Sequence, residues 1–220
     1  MTLEELHEKL SFLYNENVET HISFYATTPT TSLCLFNIEN QFLDELKELF
    51  IEEIKEVTDN QSPNFTLENY SSSTKQLDAI FQYDLQDDLR PEMQLMKDVQ
   101  AIIEPNLFVI NPENSIDQVN GLYIVIRSAN HVISLYKHIF GVDKIYAQKN
   151  WFLVHSNEQF VKQQESMLRI SPTFQMLCVD DDIIMTDIQK LERIMDLKAV
   201  LTNAAAQHIA TIVNAKRLVT

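Results

Sequence analysis

Clustered acidic side chains give the first indication of chemistry in this 220-residue chain. The aspartates at 180–182, together with Asp187, could bind a divalent cation, because hard cations take several oxygen ligands from one neighbourhood. Their spacing does not match a calcium-binding loop, and consecutive side chains on a strand point to opposite faces. A solvated hairpin turn therefore explains these aspartates better than a metal site does.

Two Glu-x-Lys steps offer a second kind of chemistry. Glu45 with Lys47, and Glu53 with Lys55, resemble the step at which metal-dependent nucleases hold a metal and an attacking water. Both pairs lie on a predicted amphipathic helix, where such pairs are normally solvated surface charge. The six histidines lack the spacing of a zinc site, and two glycines cannot build a phosphate-binding loop. We therefore predict a protein that is not an enzyme and that has neither metal nor cofactor.

Charge is divided unevenly along the sequence. Residues 1–110 hold 21 Asp and Glu against 6 Lys and Arg, whereas residues 111–220 hold 11 of each. An acidic surface repels phosphate, so nucleic acid is disfavoured as a partner of the first half only. The second half contains a basic and aromatic group that is the candidate nucleic-acid site. Its members are Arg127, Lys137, His138, Lys144, Lys149, Trp151, Lys162 and Arg169.

The basic residues of this group would neutralise DNA phosphates, and an exposed ring could stack on a base. A competing interpretation places Tyr136, Trp151 and Phe152 in the core of a sheet, with the lysines on its solvated face. The lysines could contact phosphate under either interpretation. Such contacts would not depend on the DNA sequence.

Local patterns predict the elements that position these residues in the first half. Thr2 and Glu5 have capping-box spacing ahead of an apolar stripe, which predicts a helix at about 3–14. The segments 21–27 and 32–38 predict a β-hairpin, because both are rich in apolar and aromatic residues around a Thr/Pro turn. A second helix is predicted from Asn40 onward, and residues 58–76 are interpreted as an irregular connection that contains at most one short strand.

The pattern of the second half predicts strands separated by turns. The segments GLYIVIR, HVISLYKHI, IYAQ, NWFLVHS, FQMLCV and IIMTDI predict an antiparallel meander of about six strands. From Ile188 onward the helical propensity is high, with a predicted break at Asp196. Alanines at 199, 204–206 and 210 on this C-terminal helix could pack within the chain or form a homodimer seam.

Together these elements predict an α+β fold. An N-terminal acidic α/β lobe is expected over 1–104, and a β-rich lobe ending in C-terminal helices over 105–220. Cys34 and Cys178 lie in apolar stretches and are interpreted as buried thiols of a reducing compartment. No stretch approaches about 18 apolar residues. We expect a cytoplasmic protein that reaches the inner membrane face only through a partner.

The order of segments in the second half resembles the KwaB-like family of the bacterial Kiwa anti-phage defence system. The resemblance covers about 105–215 and consists of a Gly-led strand, a basic hairpin around Tyr136 to His138, a segment anchored by Phe160, and a hairpin leading into IxxLERIMDL. It implies defence against bacteriophage and a membrane partner, KwaA. It also implies binding to DNA rather than turnover of a small substrate.

An alternative function comes from the acidic first half. The chain could be a protein-interaction, scaffold or inhibitor module whose carboxylates mimic a polyanion and which has no affinity for nucleic acid. Under this hypothesis the glutamates of the predicted second helix would contact the partner. The relevant residues are Glu45, Glu48, Glu52 and Glu56.

Overall fold

The computed structural model describes residues 1–29, 33–59, 65–70, 79–84, 89–103, 118–145, 153–156, 159–162, 167–197, 199 and 202, with the backbone alone at 145, 153–156 and 159–162. Its helices are α1 (Leu3–Leu10), α2 (Asn40–Thr58), α3 (Pro91–Gln100) and α4 (Ile188–Met195). Its strands are β1 (His21–Thr27), β2 (Cys34–Leu35), β3 (Thr66–Asn69), β4 (Ala79–Tyr83), β5 (Gly121–Arg127), β6 (Val132–His138), β7 (Lys144–Ile145), β8 (Leu153–Ser156), β9 (Gln159–Lys162), β10 (Met167–Leu168), β11 (Met176–Val179) and β12 (Asp182–Met185). The predicted α+β class is confirmed.

One mixed sheet organises the described part of the chain. Its eight strands lie in the order β2-β1-β5-β6-β11-β12-β4-β3, and only the β3–β4 pair is parallel. Strands of the first half therefore form both edges of the sheet, and strands of the second half lie between them. The boundary expected near residue 104 does not separate two hydrophobic cores.

Helices cover both faces of this sheet. Side chains alternate between the faces along each strand, so Ile124 and Leu135 pack with α1 and α2, whereas Tyr123 and Tyr136 pack with α3 and α4. Burying one large apolar side chain is worth about 1.5–3 kcal/mol, so each helix is held mainly by its apolar face.

Several local predictions are confirmed. The capping box is present, because the Glu5 amide donates to Thr2 Oγ1 at 3.2 Å and the Thr2 amide donates to Glu5 Oε2 at 2.7 Å. β1 and β2 pair as an antiparallel hairpin. Helix α4 ends at Asp196, whose φ of 50° is left-handed, as the predicted break requires.

The predicted meander is only partly correct. The β5–β6 and β11–β12 hairpins form as expected, but β6 pairs next with β11 instead of with the following strand. The intervening strands form two small separate sheets, β7 with β10 and β8 with β9. The described residues between 160 and 168 contribute to β9 and β10. The alanines at 204–206 and 210, and with them most of the predicted dimer seam, lie outside the described residues.

The turn between β11 and β12 holds the aspartates that suggested a metal. Lys9 of α1 lies 2.8 Å from Asp180 and 3.3 Å from Asp182, and Lys97 of α3 lies 3.5 Å from Asp181. These ion pairs connect the turn to helices on both faces of the sheet. No cluster of three metal-ligating side chains occurs within the described ranges.

Two further sequence features have a structural outcome. Cys34 and Cys178 are both buried free thiols, and burial raises the pKa of Cys178 to about 11. Their interpretation as small core residues is confirmed. Among the helices that the structure describes, none is long and apolar enough to cross a membrane.

Candidate nucleic-acid interface

The predicted basic group is distributed over the second half, from the end of β5 to the segment after β10. Arg127, Lys137, His138, Lys144 and Arg169 have described side chains. Lys162 has a described backbone only, and Lys149 and Trp151 lie outside the described residues. The five described side chains do not form one continuous patch, because several of them are engaged inside the fold.

Arg127 stabilises the end of helix α3. Its Nη2 donates to the carbonyl oxygens of Gln100 at 2.8 Å and Ile102 at 3.1 Å. The last carbonyls of a helix lack intrahelical donors and carry partial negative charge. A cationic donor placed there both completes their hydrogen bonds and offsets that charge. Arg127 is therefore a structural residue that anchors α3 to β5.

Lys137 is buried on the face of the sheet covered by α1 and α2, with an exposed fraction of 3%. Its ammonium donates to Ser171 Oγ at 2.8 Å, to the Thr173 carbonyl at 3.0 Å and to Thr173 Oγ1 at 3.2 Å. Burial lowers the pKa of Lys137, and the charge of Asp143 offsets this only in part. With its donors used internally, Lys137 is not placed to contact phosphate.

His138 lies at the end of β6 and is half-buried. Tyr136 Oη lies 3.2 Å from its Nδ1, and the Phe140 ring packs edge-on with centroids 4.7 Å apart. Burial lowers the pKa of His138, and the positive charge of Lys144 lowers it further. The ring is therefore neutral at pH 7 and adds no charge to a phosphate site.

Arg169 is the described member of the group that faces solvent most clearly, with 62% of its side chain exposed. One Nη2 contact, 3.0 Å to Asp143 Oδ1, fixes the guanidinium, and the Arg169 amide donates to the Asp143 carbonyl at 2.8 Å. Asp143 is itself buried and accepts from the Phe140 amide at 3.1 Å. A guanidinium held on one side still presents its other N–H groups outward.

Lys144 lies beside Arg169. Strands β7 and β10 pair Lys144 with Leu168, so Arg169 follows the residue directly opposite Lys144. The two basic residues are therefore neighbours along the backbone of one small two-stranded sheet. We call Lys144 and Arg169 the basic corner.

The acidic face of α2 is also formed as predicted. Glu45, Glu48, Glu52 and Glu56 are all exposed along the helix. Beside them lies an apolar groove whose walls include Phe42 and Leu49, with exposed fractions of 48% and 40%.

Sequence patterns did not predict a polar cavity on the other face of the sheet. It is bordered by Tyr123, Tyr136 and His138 together with Glu92 of α3. The interpretation of Tyr136 as a core residue is confirmed by its burial. The alternation of β5 and β6 could have indicated that Tyr123 and Tyr136 share a face, but it could not place α3 above them.

One comparison with known proteins concerns the second half of the chain, and another concerns most of its length. Residues 116–219 match the family model described as Kiwa protein KwaB-like. The chain is 28% identical over 205 residues to Kiwa protein KwaB of Escherichia coli O55:H7 (strain RM12579 / EPEC). That alignment covers 91% of this chain and 63% of the relative, so the chain spans less than two thirds of the relative's length. No solved structure matches the chain. Through residues 116–219, which include the basic corner, the chain is similar to the Kiwa KwaB-like family.

Proposed function

We propose that this chain is a non-enzymatic subunit of a Kiwa-type anti-phage defence system and that it binds DNA. The observation that carries the proposal is the family match over 116–219, the half in which basic and acidic residues balance. A binding role is favoured over catalysis because Lys137 and the aspartates of the β11–β12 turn are all engaged in structural contacts.

The basic corner is the proposed centre of the DNA contact. Asp143 orients Arg169, and an arginine fork suits the paired oxygens of a phosphate. Lys149 and Lys162 are further predicted phosphate contacts, and Trp151 is a predicted base-stacking ring. Because these contacts address the sugar-phosphate backbone, binding would not depend on sequence.

We also propose that a KwaA-like membrane protein is the partner and holds this protein at the inner membrane face. The acidic face of α2 is the surface that supports this part of the proposal. It carries the opposite charge to the basic corner, and it contains none of the residues of the predicted basic group. DNA and partner would then occupy different surfaces of one molecule.

The DNA role is tested by measuring the affinity of the full chain for a duplex and a single strand over a salt series. Affinity should fall steeply with salt, and Arg169→Gln should lower the slope of log K against log salt by about one, the contribution of one phosphate contact. Lys55→Gln is the matched control, because Lys55 is an exposed lysine on acidic α2. The absence of DNA binding at low salt, or equal slopes for Arg169→Gln and wild type, would contradict the proposal.

A second candidate function rests on the acidic face of α2 and the groove next to it. Exposed glutamates beside exposed Phe42 and Leu49 resemble a protein-binding surface with an apolar centre and a charged rim. Under this alternative the chain is an acidic interaction module with no affinity for DNA.

Neutralising the acidic face distinguishes the two functions. Glu-to-Gln changes at positions 45, 48, 52 and 56 should strengthen DNA binding if the basic corner binds DNA, because they remove long-range repulsion. The same changes should abolish binding to a KwaA-like partner under either function, because both assign the partner to this face. The DNA result is therefore the one that separates the two functions. Unchanged affinity for both would refute the assigned role of this face.

A further inference from the structure

A cavity of about 420 Å³ opens on the face of the sheet that carries α3 and α4. Its base is formed by β5 and β6, and its sides come from the start of α3, the end of β1 and Ile194 of α4. This volume lies within the roughly 300–1,000 Å³ of small-molecule sites. The cavity shares no residue with the basic corner.

The hydroxyl of Tyr123 is the unusual feature of this cavity. Tyr123 is fully buried and borders the cavity; Thr27 lies near its hydroxyl, yet no hydrogen bond of ordinary length and angle joins that hydroxyl to a described residue. A buried hydroxyl without a partner costs about 1–3 kcal/mol, so native proteins rarely keep one without a reason. Phenylalanine would fill the same space without this cost.

Other polar groups converge on the same space. Tyr136, opposite Tyr123 in the strand register, places its hydroxyl 3.2 Å from His138 Nδ1. Thr27 Oγ1 donates to Asn120 Oδ1 at 2.8 Å, so the orientation of the Asn120 amide is fixed at the rim. Glu92 of α3 is close enough that its charge helps to raise the pKa of both tyrosines, after burial.

The chemistry of the lining restricts the ligand. The described lining residues include no lysine or arginine, and Glu92 adds negative charge, so a phosphate or carboxylate ligand is disfavoured. Leu95 and Ile194 supply apolar walls, and the two tyrosine rings, 5.2 Å apart, supply aromatic surface. An uncharged flat ring with N–H donors for Glu92 and polar edges for the hydroxyls fits this set.

We propose that this cavity binds the base of a nucleoside, either as a free molecule or as one base of a DNA strand. The base would lie against the apolar walls, with N–H groups toward Glu92 and a polar edge toward Tyr123. Guanine suits the site best among the common bases, because its adjacent N–H groups can both donate to one carboxylate. The inference goes beyond DNA backbone binding and does not depend on it.

Isothermal titration calorimetry of the full chain tests the proposal with guanosine, adenosine, cytidine and thymidine, and with inorganic phosphate as the anionic probe. Guanosine should bind, and phosphate should not bind at this cavity. Tyr123→Phe should weaken guanosine binding about tenfold, the value of one hydrogen bond. Its melting temperature should be equal to or above that of wild type, because the change removes an unsatisfied buried hydroxyl.

Tyr25→Phe is the matched control, because Tyr25 pairs with Tyr123 on the same buried face but does not border the cavity. It should bind guanosine like wild type. The proposal is overturned if no nucleoside binds at millimolar concentration, or if Tyr123→Phe binds guanosine as tightly as wild type does.

Competition identifies the source of the base. If guanosine displaces a labelled single-stranded oligonucleotide, a base of the strand occupies the cavity. If guanosine and the oligonucleotide bind independently, the ligand is a free nucleoside. Loss of DNA binding in Arg169→Gln with unchanged guanosine binding would separate this cavity from the basic corner.

Discussion

Replacing Lys137 by methionine separates a structural lysine from a DNA-binding one. Methionine has a similar length, so the change mainly removes the ammonium and its contacts with Ser171 and Thr173. The two hydroxyls remain 3.0 Å apart and can bond to each other, which leaves the Thr173 carbonyl without a donor. Thr173 is exposed, so water can reach its carbonyl, and the cost is that of the lost hydrogen bonds. Each is worth about 0.5–1.5 kcal/mol, or more from a charged donor, and removing a buried charge offsets part of that cost.

We therefore expect Lys137→Met to lower the free energy of unfolding by about 1–3 kcal/mol, measured by urea denaturation. For a chain of this size the melting temperature should fall by about 2–4 °C per kcal/mol. DNA affinity and its salt slope should stay unchanged. Lys190→Met is the control, since Lys190 is half-exposed and pairs only with Asp187 three residues away in the described contacts.

The pH dependence provides a second readout for Lys137. Burial lowers its folded-state pKa below the ordinary 10.5, so between those two values the unfolded chain binds a proton that the folded chain has released. Wild type should gain stability relative to Lys137→Met as the pH rises through this window toward 10.5. A variant as stable as wild type that binds DNA with a reduced salt slope would refute the structural role.

Two further predictions test the packing around α3 and the cavity. Arg127→Met should increase the hydrogen-exchange rate of amides at the end of α3, because the carbonyls of Gln100 and Ile102 lose their donor; protection equal to wild type would contradict the capping role. Gly121→Ala should destabilise the fold by about 1–3 kcal/mol in urea denaturation, because its Cβ would lie 2.9 Å from Thr27 Oγ1 and 3.0 Å from Tyr136; a variant as stable as wild type would show that these side chains can move aside.

Local signals in the sequence were sufficient for individual elements. The Thr2–Glu5 capping box, the two second-half hairpins and the helix break at Asp196 each depend on residues close in the chain. Such features follow from short-range hydrogen bonds and backbone preferences. They could therefore be predicted without knowledge of the tertiary structure.

The candidate site was harder to predict, because charge says little about burial. Lys137 was assigned to a solvated face of the sheet. It follows Ile133 and Leu135 at intervals of two residues, however, and therefore shares their buried face. That period was visible in the sequence. Periodicity does not encode contacts between distant segments. The pairing of β6 with β11 is one such contact, and the position of Ser171 and Thr173 near Lys137 is another.

The interleaved strand order has a consequence for work on isolated fragments. A fragment of residues 116–219 would carry β5, β6, β11 and β12 but would lack β1 and β4, the strands that flank them. Two rows of backbone donors and acceptors would then be open to pairing with other chains, and the apolar face under α1 and α2 would lose its cover. The family segment is thus a unit of sequence matching but not a unit of folding, and experiments on it should keep both halves together.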